Sequence, residues 1–366
     1  MPNRASNTTA TLDLWDAGST GPVANWLICV ALLVIAMIAV GGATRLTDSG
    51  LSITEWKPIL GVIPPISDDA WNLAFEKYKA IPEYREVNKG MDLAAFKTIY
   101  WWEWGHRFLG RIIGIAYVLP LLTFLALGMI PLSMRVRLSG LFVLGGLQGV
   151  IGWYMVQSGL TDRIDVSPYR LAMHLSLAFF ILAILVWSIA DLTQGRKHSD
   201  ATSTPPGSRL LATVFLVLLF CQIVLGAFVA GTKAGLVYTT WPFMEGQLIP
   251  NGLWAAEPWY VSAFEDHLTI QFNHRVMAYA LVIVAIIQYV RFAVCTGGTG
   301  HFSAGTVLGG TLCQFSLGVW TLVSVDGAIP IGLGVAHQTL AAFLLAASIW
   351  HLHVVQRESR VRSVPA

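Results

Sequence analysis

Four histidines recur in matched settings near the starts of apolar stretches, and they are the residues most able to carry chemistry in this chain. They are His106, His174, His274 and His337. The first and third lie in the related motifs EWGHR (103–107) and QFNHR (271–275), where a polar stretch passes into an apolar one. Neutral imidazole is the commonest side-chain ligand for metals, so the four histidines are candidate metal ligands.

The chain around them has the composition of an integral membrane protein. Of its 366 residues, 55% are hydrophobic and 12% are charged, and the charged fraction is about half that of soluble domains. Eight apolar stretches are long enough to span a bilayer as α-helices. They lie at about 23–44, 98–126, 138–157, 169–190, 209–230, 269–292, 302–325 and 331–353. No basic tract with interleaved aromatic residues lies outside them, so nucleic acid is not an expected partner.

Polar segments separate the apolar stretches. The first outer segment, 45–97, is rich in proline, tryptophan and charge, and its part 68–79 has a helical period that indicates a short helix on the membrane surface. The segment 191–208 is polar and contains Pro-Pro-Gly, so it is the best candidate for a linker. The first apolar stretch is too long for the core of a secretory signal peptide, and no small-residue cleavage pattern follows it. We therefore interpret it as a membrane helix.

An internal repeat relates the two halves of the chain. Matching residues recur in the same order at a lag of 163 to 188 positions. The pairs are Arg45 with Lys233, Trp56 with Trp241, His106 with His274, Gln148 with Gln314, Gly152 with Gly318, and His174 with His337. Each half holds four helices, an even number, so both halves start on the same side of the membrane and the repeat is parallel.

The predicted fold class is an all-α integral membrane protein, with eight transmembrane helices arranged as two parallel-repeat four-helix bundles. Its parts are a polar N-terminal tail (1–22), an N-terminal bundle (23–191), a cytoplasmic linker (192–208), a C-terminal bundle (209–354) and a basic tail (355–366). The short connections on the side of the N-terminus are basic and nearly free of acid, which predicts that both termini are cytoplasmic. The two long polar loops, 45–97 and 231–268, are then outside.

All four histidines are expected at a similar depth in the outer leaflet, because each lies in the first turns of a helix that enters from outside. The residue four positions further along each helix is small: Gly110, Ala178, Ala278 and Ala341. A flat porphyrin needs that clearance beside an axial ligand, and two histidines per bundle fit the two axial positions of one haem iron. Two other interpretations stay open. Each histidine could be a polar residue that bridges helices, or each pair could bind a metal ion without a porphyrin, although no carboxylate trio accompanies the pairs.

Glu103 distinguishes one half from the other. It lies three residues before His106 and therefore on the same helix face, whereas the corresponding residue before His274 is Gln271. A carboxylate in an apolar setting can act as a general acid or base, so Glu103 is the candidate catalytic residue. The alternative is a structural salt bridge between Glu103 and Arg107.

Four basic residues could bind the carboxylates of a haem. Arg45 and Lys233 are repeat partners at outer helix ends, and Arg107 and Arg275 each follow a candidate ligand. A guanidinium fork suits a carboxylate, although anchoring at the membrane interface accounts equally well for Arg45 and Lys233. The four cysteines lack metal-binding spacing, and we expect small buried residues rather than a disulfide or a zinc site.

Together these motifs resemble the haem A synthase family in its proteobacterial and mitochondrial form. The resemblance rests on GATRLTDSGLS (42–52), on EWGHR and QFNHR, and on His174 and His337, and it covers nearly all of residues 20–355. Gram-positive members of the family carry a cysteine pair in the first outer loop, whereas residues 45–97 contain no cysteine. A thiol–disulfide step is therefore not transferred to this chain.

The resemblance implies an oxidoreductase that oxidises the C8 methyl of haem O to the formyl group of haem A, for assembly of cytochrome oxidase. It implies that His106 and His174 ligate the substrate haem. It also implies that His274 and His337 ligate a resident haem b, and that Glu103 is the catalytic carboxylate. The expected location is the inner (plasma) membrane of the cell. Expected partners are haem O synthase, oxidase assembly factors, membrane lipid and an electron acceptor or donor, and a homo-oligomer is compatible with these features.

Two other functions stay open. A di-haem b-type cytochrome could pass electrons between quinol and a partner, although such proteins usually stack their haems across one bundle with two histidines on one helix, and here each helix carries one. A transporter with a parallel repeat would have its site near the bilayer midplane, whereas these polar residues cluster at the outer edge.

Overall fold

The computed structural model describes residues 21–58, 60–193, 204–295 and 299–361. Within these ranges the chain is almost entirely helical and forms no β-strand. The helices are α1 (Gly21–Leu46), α2 (Asp68–Lys79), α3 (Pro82–Glu86), α4 (Leu93–Ala126), α5 (Leu132–Gln157), α6 (Pro168–Thr193), α7 (Ser208–Gly231), α8 (Ser262–Glu265), α9 (His267–Cys295), α10 (Thr299–Val323) and α11 (Ile331–Val361). Eight of them, α1, α4 to α7 and α9 to α11, are long and apolar enough to cross a membrane. The predicted all-α membrane fold with eight spanning helices is therefore confirmed.

The short helix predicted at 68–79 is present as α2, but it does not lie on the membrane surface with its apolar face toward lipid. Ser67 caps its first turn by accepting a hydrogen bond from the backbone N–H of Ala70 at 3.2 Å. Its apolar face packs against the outer part of α4, where the rings of Phe75 and Phe96 stack at a centroid distance of 4.9 Å. The neighbouring α4 satisfies this face, so α2 needs no bilayer contact.

The second spanning helix, α4, is longer than its apolar stretch. It begins at Leu93, five residues before the predicted start, because the Asp92 side chain accepts from the N–H of Ala95 at 2.8 Å and caps the helix. Its 34 residues extend over about 51 Å, whereas the hydrocarbon core of a bilayer is about 30 Å thick. The first turns of α4 therefore project beyond the membrane and support the outer segment.

Other boundaries also move outward from the apolar stretches. α5 begins at Leu132 and includes Arg135 and Arg137, which precede the apolar stretch predicted from residue 138. Long basic side chains at a helix end can reach the interface, so a membrane helix can have charged residues in its first turns. α11 continues to Val361, through half of the predicted basic tail. Most of the predicted N-terminal tail and of the linker lies outside the described residues.

Helices from both halves form the centre of the molecule. α1 packs against α4, α6 and α11, while α11 packs against α10, α7 and α6. The large buried side chains there include Leu27, Phe179, Leu182, Phe215 and Leu345. α1 and α6 belong to the N-terminal half, residues 23–191, and α7 and α11 belong to the C-terminal half, residues 209–354. The two halves thus share one apolar core, and their division into two bundles stays a prediction.

The expectation of buried cysteines is wrong for the three that the structure describes in full. Cys29, Cys221 and Cys313 are free and exposed on spanning helices. The exposed surface of a spanning helix faces lipid, where a thiol behaves as a small apolar group.

Candidate functional site

Each candidate histidine packs against a glycine of a neighbouring helix. A Cβ atom added at that glycine would lie between 2.8 and 3.2 Å from the nearest ring atom. The pairs are His106 with Gly41, His174 with Gly152, His274 with Gly226, and His337 with Gly318. Only glycine permits so close an approach of ring and helix. Each of the four rings is therefore supported by a glycine. The internal repeat in the sequence had indicated only two of these glycines, Gly152 and Gly318.

The second histidine of each half is held in the same way. Gln148 donates from Nε2 to the carbonyl oxygen of His174 at 3.0 Å and lies 3.2 Å from its Nδ1 atom. Gln314 repeats both distances to His337. This agreement supports the internal repeat at the level of side-chain contacts.

The first histidine of each half is held differently. Nε2 of Gln222 lies 3.3 Å from Nε2 of His274. Met37 has the equivalent position in α1, one turn before the glycine that supports the ring, and no side chain among the described residues forms a hydrogen bond with the His106 ring. The Met37 methyl group instead lies 3.4 Å from the position of a Cβ at Gly110. The halves thus differ at a second position besides Glu103.

In the C-terminal half, His274 and His337 line one cavity of about 290 Å³. Small residues and aromatic rings form much of the wall: Ala278, Ala341, Trp241, Tyr279 and Phe315. Nδ1 of His274 is buried and has no hydrogen-bond partner among the described residues. An imidazole nitrogen without such a partner is free to ligate a metal. These residues fit a flat macrocycle with two axial imidazoles.

The structure places His274 and His337 on the wall of one cavity. In the N-terminal half, the electrostatic effect of His174 on His106 indicates that this pair is also close. Their action as axial ligands stays a prediction.

Glu103 is buried in α4, with 2% of its surface exposed, and it anchors the outer segment to that helix. Its Oε2 atom accepts from the Ser52 hydroxyl at 2.7 Å and from the Ile53 backbone N–H at 2.6 Å. Its Oε1 atom accepts from Arg107 at 2.5 Å. Three donors hold the carboxylate in one orientation, so the salt bridge that the sequence left as an alternative is present.

The corresponding residue, Gln271, also contacts the outer loop of its half, but as a hydrogen-bond donor. Its Nε2 donates to the carbonyl oxygen of Tyr238 at 2.9 Å, and Arg275 donates to the same oxygen at 3.0 Å. Tyr238 is the counterpart of Ile53, 185 residues later. The loop of the C-terminal half presents an acceptor where the other loop presents donors. The exchange of Glu for Gln therefore has a structural reason beside any catalytic one.

The two arginines that follow the first histidines differ in their freedom. Arg107 donates to the carbonyl oxygens of Ile53 and Glu55, at 2.7 and 2.9 Å, besides its contact with Glu103. Arg275 lines the cavity, and its Nε and Nη1 atoms are buried without a hydrogen-bond partner in the described part of the chain. Arg275 is thus the better placed of the two to bind a carboxylate group in its cavity.

Arg45 and Lys233 converge on one pair of carboxylates. Arg45 lies 3.1 Å from Asp48 and 3.6 Å from Asp165. Lys233 lies 3.4 Å and 2.9 Å from the same two residues. The four charges link the outer ends of α1 and α7. Arg45 also lines the cavity of the opposite half, so a residue of the N-terminal half contributes to the C-terminal site.

Sequence reasoning missed several of these residues. Asp48 and Asp165 give no local signal, since their role arises from the meeting of two loops. Gln222 could have been found, because an amide in the middle of an apolar helix is an expensive polar group that usually has a function. Met37 could have been found only by aligning α1 with α7.

Fold and site together define a membrane protein with two histidine pairs near one face, one of which lines a cavity of about 290 Å³. A family model described as cytochrome oxidase assembly protein matches residues 24–349. The chain is 49% identical over 331 residues to heme A synthase of Parvibaculum lavamentivorans, covering 90% of this chain and 93% of that protein. It is 48% identical over 335 residues to heme A synthase of Bradyrhizobium sp. strain ORS 278, covering 90% of each.

A third relative, heme A synthase of Nitrosospira multiformis, is 44% identical over 338 residues, covering 92% of this chain and 94% of that protein. Identity at this level over nearly the whole length makes the chain a member of the cytochrome oxidase assembly protein family that includes the heme A synthases. The resemblance inferred from the motifs is therefore confirmed.

Proposed function

We propose that this protein is a haem A synthase, an oxidoreductase that converts the C8 methyl group of haem O into the formyl group of haem A. The observation that carries the proposal is the presence of two histidine pairs in repeat-related settings, within a chain 44–49% identical to proteins of that name. We assign one pair to a substrate haem and the other to a resident haem, which would relay electrons from the substrate to an acceptor.

We assign the substrate haem to His106 and His174 and the resident haem b to His274 and His337. Two differences between the halves support this assignment. Only the N-terminal half has a carboxylate beside its first histidine, and only the C-terminal half has an amide in contact with the corresponding ring. A haem that must be exchanged needs weaker support than a haem that stays.

When bound, the two haems supply the iron and the redox chemistry of the reaction. The chain supplies orientation: histidines fix the macrocycle plane, and small residues at Gly110 and Ala178 leave space for it. Glu103 is the proposed catalytic carboxylate. Three donors fix its direction, and this rigidity is what a group that receives or delivers a proton at one atom needs. Arg45, Arg107, Lys233 and Arg275 are the proposed partners of the propionates.

The proposal includes a location and partners. The protein would lie in the inner (plasma) membrane with both termini cytoplasmic and its histidines near the outer face. Haem O synthase would supply the substrate, cytochrome oxidase assembly factors would receive the product, and an electron acceptor would complete the oxidation.

Extraction of pigments from the purified protein tests the function directly. Haem b together with haem O or haem A is the expected result. Haem b alone in a protein that does not convert added haem O would favour the alternative, a di-haem b-type cytochrome that passes electrons between quinol and a partner. Absence of any haem would contradict both functions.

A further inference from the structure

Arg111 is a charged residue in α4, a helix that is long and apolar enough to cross a membrane. It is 15 residues from the inner end of the helix at Ala126, or about 22 Å, and the hydrocarbon core is about 30 Å thick. A guanidinium at that depth needs partners. Nε of Arg111 donates to the carbonyl oxygen of Pro58 at 2.8 Å, and Nη2 donates to that of Lys57 at 2.9 Å. The partners of this intramembrane cation are thus backbone carbonyls of the outer segment.

These contacts hold residues 56–58 and 60–63, which we call the outer flap, beside α4. Irregular backbone is tolerated at membrane depth only where its polar groups are satisfied. Arg111 satisfies two carbonyls, and the N–H of Gly61 donates to Lys57 at 3.0 Å. Leu60 and Ile63 are 76% and 66% exposed. This exposed apolar surface suits contact with lipid, whereas the Lys57 ammonium of the outer flap bridges Glu55 at 3.0 Å and its side chain is 52% exposed.

The C-terminal half repeats the arrangement with different chemistry. Trp241, the counterpart of Trp56, donates from Nε1 to the hydroxyl of Tyr279 at 3.0 Å. Tyr279 follows His274 by five residues, as Arg111 follows His106. Trp241 and Tyr279 both line the cavity of that half. The second outer loop is therefore a wall of the C-terminal site, and by the repeat the outer flap has the corresponding position in the N-terminal half.

The two walls differ in how readily they can open. Phe315 packs against both Trp241 and Tyr279, at centroid distances of 6.2 and 5.5 Å, and closes the C-terminal wall with apolar contacts. The outer flap is held by hydrogen bonds from Arg111, and Gly61 offers no side chain against the guanidinium, which lies 2.8 Å from its Cβ position. A guanidinium can exchange carbonyl partners for the carboxylate of an arriving ligand, whereas an aromatic cluster has no such exchange.

We propose that the outer flap is embedded in the outer leaflet and forms the lateral passage through which a haem with an apolar tail moves between lipid and the His106–His174 site. The inference deepens the proposed function and depends on it for the identity of the ligand. The embedding of the outer flap in lipid does not depend on that function. The aromatic wall of the other half keeps its haem resident.

The first test measures depth. A nitroxide label is attached at Leu60→Cys in a chain whose native cysteines are replaced by serine, reconstituted in phosphatidylcholine vesicles. Collision with oxygen and with a water-soluble nickel chelate is compared with labels at Leu119→Cys, exposed on α4 within the span, and at Lys89→Cys, exposed in the outer segment. The label at residue 60 should match that at residue 119. A match with residue 89 would overturn the embedding.

The second test measures exchange of haem. Arg111→Gln should accelerate transfer of haem O from vesicles into the protein, and its loss to excess apomyoglobin, by about tenfold, the effect of one lost hydrogen bond to a charged group. Retention of haem b should not change, and this also shows that the variant folds. Arg163→Gln, an exposed arginine of another outer loop, is the matched control.

The outcomes separate the two proposals. Unchanged exchange in Arg111→Gln would overturn the passage, whatever the depth of the label. Equal acceleration of haem loss from both halves would show a general loosening and would also overturn it. Failure of the wild-type protein to take up haem O, with residue 60 at membrane depth, would contradict the proposed function and leave the embedded flap standing.

Discussion

The sites of the two halves share the arrangement of their candidate ligands and differ in the residues that surround them. Each ring packs on a glycine, and the second histidine of each half has the same glutamine contact. The differences lie beside the first histidine and in the lipid-facing wall. Glu103 in the N-terminal half corresponds to Gln271 in the C-terminal half, and Met37 corresponds to Gln222. The candidate ligands therefore have the same geometry in both halves, and we attribute the proposed differences in exchange and reactivity to their neighbours.

The largest effect is expected from removal of a ligand in the half that we assign to the resident haem. His274→Ala and His337→Ala should each lower the haem b content of the purified protein by about tenfold or more, because a bis-histidine iron loses one axial bond. The low-spin absorption spectrum measures this loss. His267→Ala, in the same outer region but exposed, is the control and should retain haem b. Unchanged spectra in both ligand variants would remove the basis of the assignment.

Glu103→Gln should abolish conversion of haem O while substrate binding remains. Loss of a general acid or base lowers a rate by about 10²–10⁴-fold, measured as haem A formed per protein. Ser52→Ala is the matched variant, since it removes one donor to the same carboxylate and leaves the acid in place. If both variants lose activity equally and only by a few fold, Glu103 acts by anchoring the outer segment. In that case Glu103 is not a catalytic carboxylate that distinguishes the two halves.

A smaller effect is expected from exchanging the neighbours of the first histidines. Met37→Gln should slow the loss of the N-terminal haem to apomyoglobin, and Gln222→Met should speed the loss of the C-terminal haem. Each change should be about fivefold, the effect of one net hydrogen bond of about 1 kcal/mol. Met37→Leu keeps the apolar volume and should resemble the wild type. Rates that do not respond to either exchange would show that this asymmetry is neutral.

The smallest effect concerns the outer segment of the N-terminal half, where Glu83 is buried in α3. Burial, and secondly the charge of Asp48, raise the pKa of its carboxyl to about 8. Because the folded pKa exceeds the unfolded value of 4.5, the folded state binds more protons between these values, and stability falls as pH rises from 4.5 to 8. Glu83→Gln should flatten this fall and raise the melting temperature at pH 8 by about 2–4 °C.

The control for this prediction is Glu86→Gln, exposed on the same helix, which should leave the pH dependence of melting unchanged. Thermal unfolding followed by circular dichroism in detergent gives the comparison. If the melting temperatures of both variants fell equally as pH rises, Glu83 would not be the titrating group.

Much of the architecture follows from local pattern. Hydropathy places each spanning helix because twenty apolar residues satisfy a bilayer without reference to the rest of the chain. Residues 68–79 form a helix with the predicted bounds since capping by Ser67 and the spacing of Trp71 and Phe75 are properties of that segment alone. The motifs around His106 and His274 likewise predicted that these two histidines have equivalent positions in the two halves.

What the sequence determined by itself is the set of spanning helices, the repeat and the four histidines, because each is encoded within one segment or in the likeness of two. Only the tertiary structure decided that α2 packs on α4, that Arg45 lines the cavity of the opposite half, and that Glu103 holds Ser52 and Ile53. It also decided that Arg111 binds the carbonyl oxygens of Lys57 and Pro58. These contacts join residues about 20 or more positions apart, and their geometry depends on how helices pack, which local hydropathy does not specify.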